Sequence, residues 1–97
     1  MTDVVQHVEQ QGGGEFFIER EGVRVAEMTY RRPTPSTIVV DHTQVDVSLR
    51  GGGVARRLLD AAVSWARGNS LRIDATCSYV VAQLVRDRSL RDVSALT

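Results

Sequence analysis

The chain contains no lysine. All of its 12 basic residues are arginines, and 12 Asp plus Glu balance them to a formal charge of zero and a pI near 6.7. The missing net charge excludes nucleic-acid binding through a bulk basic field. The missing lysine leaves the amino terminus as the only amine the chain could acylate on itself. One cysteine, Cys77, rules out an intrachain disulfide, and no charged start precedes an apolar h-region, so a reducing, cytoplasmic setting is expected. The longest apolar run, Tyr79 to Ala82, is 4 residues, far short of the roughly 20 that cross a bilayer as a helix, so no membrane partner is expected. With 97 residues, 42% hydrophobic and 25% charged, the composition is that of one small folded domain without room for a deep enclosed chamber.

Along the chain, residues 1–14 are polar, end in Gly12-Gly13-Gly14, and are expected to be partly mobile, with a short strand around Val4 to Val8. Glu15 to Arg20 and Val23 to Tyr30 read as two strands of a hairpin joined at Glu21-Gly22. Arg32-Pro33-Thr34-Pro35-Ser36 is expected to interrupt regular structure before a third strand, Thr37 to Thr43. Apolar residues at Val54, Leu58, Ala61, Ala62 and Trp65 then follow a helical spacing that stops at Gly68. Leu71 to Thr76 alternates like a strand, and a second helix is expected from about Tyr79 to Arg88 with Ser78 as its N-cap. The expected fold class is therefore α/β with an α+β mixed sheet: an antiparallel meander, then loop, helix, strand and helix. Placing a helix between two strands implies one parallel crossover. The domain is expected over 15–90, with 91–97 as a tail.

Three glycines, Gly51-Gly52-Gly53, stand between a strand and an amphipathic helix. Bare backbone N–H groups in front of a helix N-terminus suit a phosphate, while the triplet could equally serve only as a tight turn. It lacks the Gly-Lys-Ser/Thr ending of a nucleotide P-loop and the Gly-x-Gly-x-x-Gly spacing of a dinucleotide fold.

The segment Arg50-Gly51-Gly52-Gly53-Val54-Ala55 resembles the acetyl-coenzyme A signature of the GNAT-type N-acetyltransferase superfamily, Gln/Arg-x-x-Gly-x-Gly/Ala, matching at Arg50, Gly53 and Ala55. The likeness extends from about Phe16 to Leu84 and is similar to a small single-domain branch, the YjdJ-type proteins. It is carried by Gly22, Ala26 and Tyr30 in the hairpin, Asp41-His42-Thr43 at a strand end, the loop, and Cys77-Ser78-Tyr79-Val80. Two departures stand out. Asp87-Arg88-Ser89-Leu90 occupies the place of a His-Pro pair, and the middle glycine, Gly52, is often Gln in that branch.

The resemblance implies a minimal GNAT-like fold and acetyl transfer from acetyl-coenzyme A, as co-substrate, to an amine. It places the cofactor against the strand end at Val45 and Val47 and the loop Arg50, Gly51, Gly52, Gly53, Val54 and Ala55, with Arg56 or Arg57 in reach of the phosphates. The acceptor, a small-molecule or protein amine, is left open, as is a monomer or weak dimer.

His42 and Cys77 lie near the carboxyl ends of strands that the crossover makes parallel neighbours, where ligands gather in open α/β sheets. Simple alternation gives His42 the face of Ile38 and Val40. The family's splayed strands would then set both side chains beside the acetyl group. His42 is the candidate general base, Cys77 a candidate acetyl carrier, and Tyr79 a candidate proton donor to the leaving thiolate. Packing roles remain open for all three: a strand histidine satisfied by a hydrogen bond, a small buried cysteine and a core tyrosine. His7 stands alone without ligand spacing, so no metal is expected. The competing functions are a non-catalytic coenzyme A-binding module and a partner-binding domain that uses the hairpin edge.

Overall fold

The computed structural model describes residues 4–96, so a reading that touches residues 1–3 or 97 lies outside the described residues. The hydrophobic alternation of the first half becomes four strands: β1 (Gln6–Gln10), β2 (Gly13–Arg20), β3 (Val23–Thr34) and β4 (Thr37–Val45). A helix, α1 (Val54–Gly68), crosses to β5 (Arg72–Ala75), and α2 (Ser78–Arg86) follows. The sheet order is β1-β2-β3-β4-β5, antiparallel throughout except for the parallel pair β4 and β5 that α1 connects. The mixed α/β class and its crossover are thus as expected. Among the described residues no helix is long and apolar enough to cross a membrane.

One face of the sheet carries the core. Phe16, Ile18, Met28, Tyr30, Ile38, Val40 and Ile73 point to it and are covered by Leu58, Leu59, Ala62 and Val63 of α1. The helical stripe is wider than its most regular members suggest. Ala61 and Trp65 flank it, while Leu59, Val63 and Ala66 are fully inside. Val80 and Leu84 bring α2 onto the same core.

Several boundaries differ from the sequence expectation, each for a physical reason. The first strand starts at Gln6 and pairs residue for residue with β2 from Gln6↔Phe17 to Gln10↔Gly13. β3 runs through Pro33 to Thr34, because a register shift between Arg31 and Thr34 removes the ladder position at which a proline would lack a donor. Cys77, not Ser78, is the N-cap of α2, without a side-chain cap, and the helix ends at Arg86 with Asp87 as its C-cap. Beyond Leu90 the segment read as a tail lies alongside β5. The Ile73 N–H donates to the Val93 carbonyl at 2.6 Å, the Ala95 N–H donates to Ile73 at 2.8 Å, and Val93 is buried.

Candidate functional site

The site grows from the end of β4. Asp46 caps a short 3-10 turn, Val47–Leu49, by accepting from the Ser48 N–H at 3.0 Å and the Ser48 hydroxyl at 2.8 Å. These bonds hold its carboxyl below the usual range. The chain then enters the glycine loop, where Gly51 has φ 85° and Gly53 φ 77°, the left-handed region that L side chains avoid. Gly53 is the N-cap of α1 and has no side chain to cap it. Its carbonyl accepts from Arg57, and no acidic residue occupies the first turn. The opening N–H groups of a helix have no intrahelical acceptor, so this end is electropositive and suited to an anion.

A cavity of about 230 Å³ opens on this helix end. Of the residues expected to hold a cofactor, Val45, Arg50, Gly51, Gly53, Val54, Ala55 and Arg56 line it, and so do Leu49 and Tyr79. Val47 and Gly52 do not, and Val47 is turned to solvent at 73% exposure. Arg50 donates from Nε to the Val45 carbonyl at 3.3 Å, which ties the loop to the strand end. Arg56, while lining the cavity, is also engaged by Asp60 on α1 and by Gln83 and Asp87 at the far end of α2. A wider hollow of about 400 Å³ lies between the β1–β2 turn and Tyr30, but it includes no residue of the loop.

Tyr79 reaches the cavity from the first turn of α2. Burial is the main cause that pushes its phenol above the ordinary value, so it stays protonated at neutral pH and can donate.

His42 and Cys77 are not brought together as alternation predicted. Tyr30 pairs with Val40 but Thr29 with His42, so Asp41 is an extra residue in β4. This bulge reverses the faces beyond it. His42 joins Thr29 and Glu27 on the sheet face away from the core, 48% exposed, with Nε2 3.6 Å from Glu27. Thr43 takes the inner face, opposite Met28, and the Cys77 thiol donates to its hydroxyl at 3.4 Å. Glu27 carried no sequence signal as a partner of His42, and Thr43, read only as part of the Asp41-His42-Thr43 strand end, meets Cys77 because the bulge turns it inward.

β4 and β5 part at the same level. Their pairing ends at Val40↔Ala75, where the Val40 carbonyl accepts from both Thr76 and Cys77. Residues 41–45 continue with β3 on one side and, among the described residues, no strand on the β5 side. An open strand edge therefore leads from the splay to the glycine-loop cavity, which Val45 lines.

The family model of the GCN5-related N-acetyl-transferases matches residues 15–93. The chain belongs to this family. A GCN5-like protein from Staphylococcus aureus, solved by NMR, is 35% identical at a TM-score of 0.75, over 95% of this chain and 89% of that one. An IAA acetyltransferase from Bacillus cereus is 18% identical at a TM-score of 0.66, over 87% of this chain and 72% of that one. A GNAT family acetyltransferase from Elizabethkingia anophelis, with acetyl-CoA bound, is 13% identical at a TM-score of 0.59, over 76% of this chain and 50% of that one. The last two share the fold. A comparison with curated protein sequences gives no match. Within the GCN5-related family frame, the glycine loop, the end of β4 at Val45 and Tyr79 line one cavity.

Proposed function

We propose that this chain transfers an acetyl group from acetyl-coenzyme A to an amine. The observation that carries the reading is the continuity of the cavity at the start of α1 with the open edge of β4 and with Tyr79. A relative of the same fold is a complex with acetyl-CoA, and the residues here fit that group. First-turn amides and Arg50 would take the pyrophosphate, with no carboxylate in that turn to oppose it. The edge of β4 would pair with an extended amide-bearing arm as a strand would. No cluster of metal-binding side chains occurs among the described residues.

Bound there, acetyl-coenzyme A supplies an activated acyl thioester. The amine nitrogen attacks the thioester carbon, a C–N bond forms and the C–S bond breaks. His42, beside Glu27, takes the proton from the amine on the outer face, and Tyr79 gives its proton to the departing thiolate on the inner one. Direct transfer is favoured over an acetyl-cysteine route, because the Cys77 thiol is bonded to Thr43 and not to a base. The place of His42 on the outer face, outside the cavity that Tyr79 lines, favours a second reading, binding of coenzyme A without turnover.

Titration calorimetry with acetyl-coenzyme A and coenzyme A, followed by an amine panel and intact mass, tests the proposal. Micromolar binding with acetylated amine, lost in His42→Ala while affinity stays within about twofold, is the expected result. Binding with no transfer to any amine selects the second reading. A one-acetyl mass gain that Cys77→Ala abolishes would restore the cysteine route.

A further inference from the structure

Arg56 sits in the first turn of α1, directly behind the glycine loop, and reaches α2 with the donors that the loop does not use. Its Nε donates to Asp60 Oδ1 at 2.9 Å along α1, its Nη1 donates to Gln83 Oε1 at 2.7 Å, and its Nη2 donates to Asp87 Oδ2. Asp87 is oriented from behind, since its Oδ1 accepts the Ser89 N–H at 2.9 Å and the Ser89 hydroxyl at 2.6 Å. Those bonds and Arg56 hold its carboxyl down at about 2, so the ion pair persists at any pH near neutrality.

Tyr79, Gln83 and Asp87 follow one another at intervals of four and so form one stripe along α2 and its C-cap. The first member of that stripe lines the cavity and the other two hold Arg56. α2 has 9 residues, too few to be a stable helix alone, so what docks it also decides where Tyr79 stands. Val80 and Leu84 fix its depth against the core, while the contacts to Arg56 fix it relative to the loop.

We propose that Asp87 is a positioning residue for acetyl transfer: by holding Arg56 it locks the helix that bears Tyr79 to the loop that receives the acyl donor. The inference rests on the transferase reading above. It assigns Arg56 a role other than phosphate binding, and it gives a purpose to the Asp87-Arg88-Ser89-Leu90 stretch.

The test is steady-state kinetics of the full chain with acetyl-coenzyme A and the best amine of the panel, with thermal unfolding of every variant. Asp87→Ala is expected to lower kcat about tenfold while KM for acetyl-coenzyme A stays level or falls, because a slightly displaced donor costs rate and a released Arg56 adds positive charge near the loop. Asp87→Glu should recover part of the loss. Ser89→Ala, which removes one bond to the same carboxylate and leaves Arg56 in place, should keep kcat within about twofold. Arg56→Gln combined with Asp87→Ala should be no worse than the poorer single variant, because both remove one contact. If Asp87→Ala does not fold, Asp87→Asn takes its place with a smaller loss of kcat.

The inference is overturned if the Asp87 variant keeps wild-type kcat, if Ser89→Ala loses as much, or if the two single losses multiply. A wild-type chain that transfers acetyl to no amine would overturn the transferase reading itself, and this inference with it. That outcome is distinguished from the others by being visible before any variant is made.

Discussion

Two glycine triplets mark this chain, Gly12-Gly13-Gly14 and Gly51-Gly52-Gly53, and they differ in what surrounds them. A Cβ on Gly13 would collide with the Tyr30 carbonyl oxygen, and one on Gly14 would collide with the Val8 carbonyl oxygen and lie 2.6 Å from the Tyr30 hydroxyl. A Cβ on Gly51 or Gly53 would meet nothing within 4 Å, yet both residues have positive φ. At Gly13 and Gly14 glycine lets other atoms come close, while Gly12, with φ 85° and nothing within 4 Å of a Cβ, only turns the chain. In the second triplet, at Gly51 and Gly53, it lets the chain turn into the start of α1, while the Gly52 N–H donates to the Leu49 carbonyl at 3.3 Å. Both triplets border a hollow, but only the second stands at the start of a helix, and local crowding tells the two apart where composition does not.

The largest effect is expected at the crowded triplet. The Tyr30 hydroxyl beside Gly14 is held from two sides, 2.6 Å from His7 Nε2 and donating to Glu9 Oε2 at 3.1 Å, so it cannot swing away cheaply. Gly14→Ala should destabilise the fold by about 3 kcal/mol and lower the thermal midpoint by roughly 12–24 °C. The fraction that remains folded should bind acetyl-coenzyme A as before. A midpoint within a few degrees of wild type would break the comparison.

The open triplet should answer the other way. Gly53→Ala forces an L side chain into the left-handed region, at about 1–2 kcal/mol, and it reshapes the amides at the start of α1. Acetyl-coenzyme A affinity, read by titration calorimetry, should fall about tenfold or more alongside a modest drop in midpoint. Unchanged affinity would reduce the loop to a turn.

A smaller effect belongs to the ring cluster behind Gly14. His7 stacks on Phe16 at 4.0 Å and meets Trp65 edge-on at 4.5 Å. Burial lowers its pKa below 6.5, against the opposing charge of Glu9. The folded state therefore binds this proton less tightly than the unfolded chain. The stability His7 contributes is present above pH 6.5 and is lost as pH falls through the lowered value. Unfolding free energy measured from pH 7.5 down to 5 should decline with a slope of less than one proton from this group. The decline should be shallower in His7→Gln.

Much of the fold was legible because it rests on local periodicity. The alternation of Phe16 and Ile18 or of Met28 and Tyr30, and the helical spacing of Val54, Leu58 and Ala62, are written in neighbouring residues. The turn into α1 was legible from the glycine triplet Gly51-Gly52-Gly53 itself. The face of His42 was not, because the single extra residue Asp41 reverses alternation and shows only in the pairing with Thr29 and Tyr30. The bonds of Arg56 to α2 were not legible, because those partners stand 27 and 31 residues away. His7, read as solitary, owes its ring neighbours to strand pairing with Phe16 and to packing against α1.

The smallest effect sharpens the comparison within the open triplet itself. Gly52 lacks the positive φ of Gly51 and Gly53, and a Cβ there would sit 3.4 Å from the Leu49 carbonyl oxygen, an ordinary contact. Nothing in the folded state then demands glycine, and alanine would restrict the unfolded chain. Gly52→Ala should leave stability unchanged or raise it by up to about 0.5 kcal/mol, and it should alter acetyl-coenzyme A affinity by less than about threefold. The three alanine variants would then separate cleanly: stability alone at Gly14, stability with affinity at Gly53, and neither at Gly52. If Gly52→Ala instead costs as much affinity as Gly53→Ala, the bound ligand presses on all three glycines, and crowding by the ligand joins left-handed geometry as the reason for the triplet.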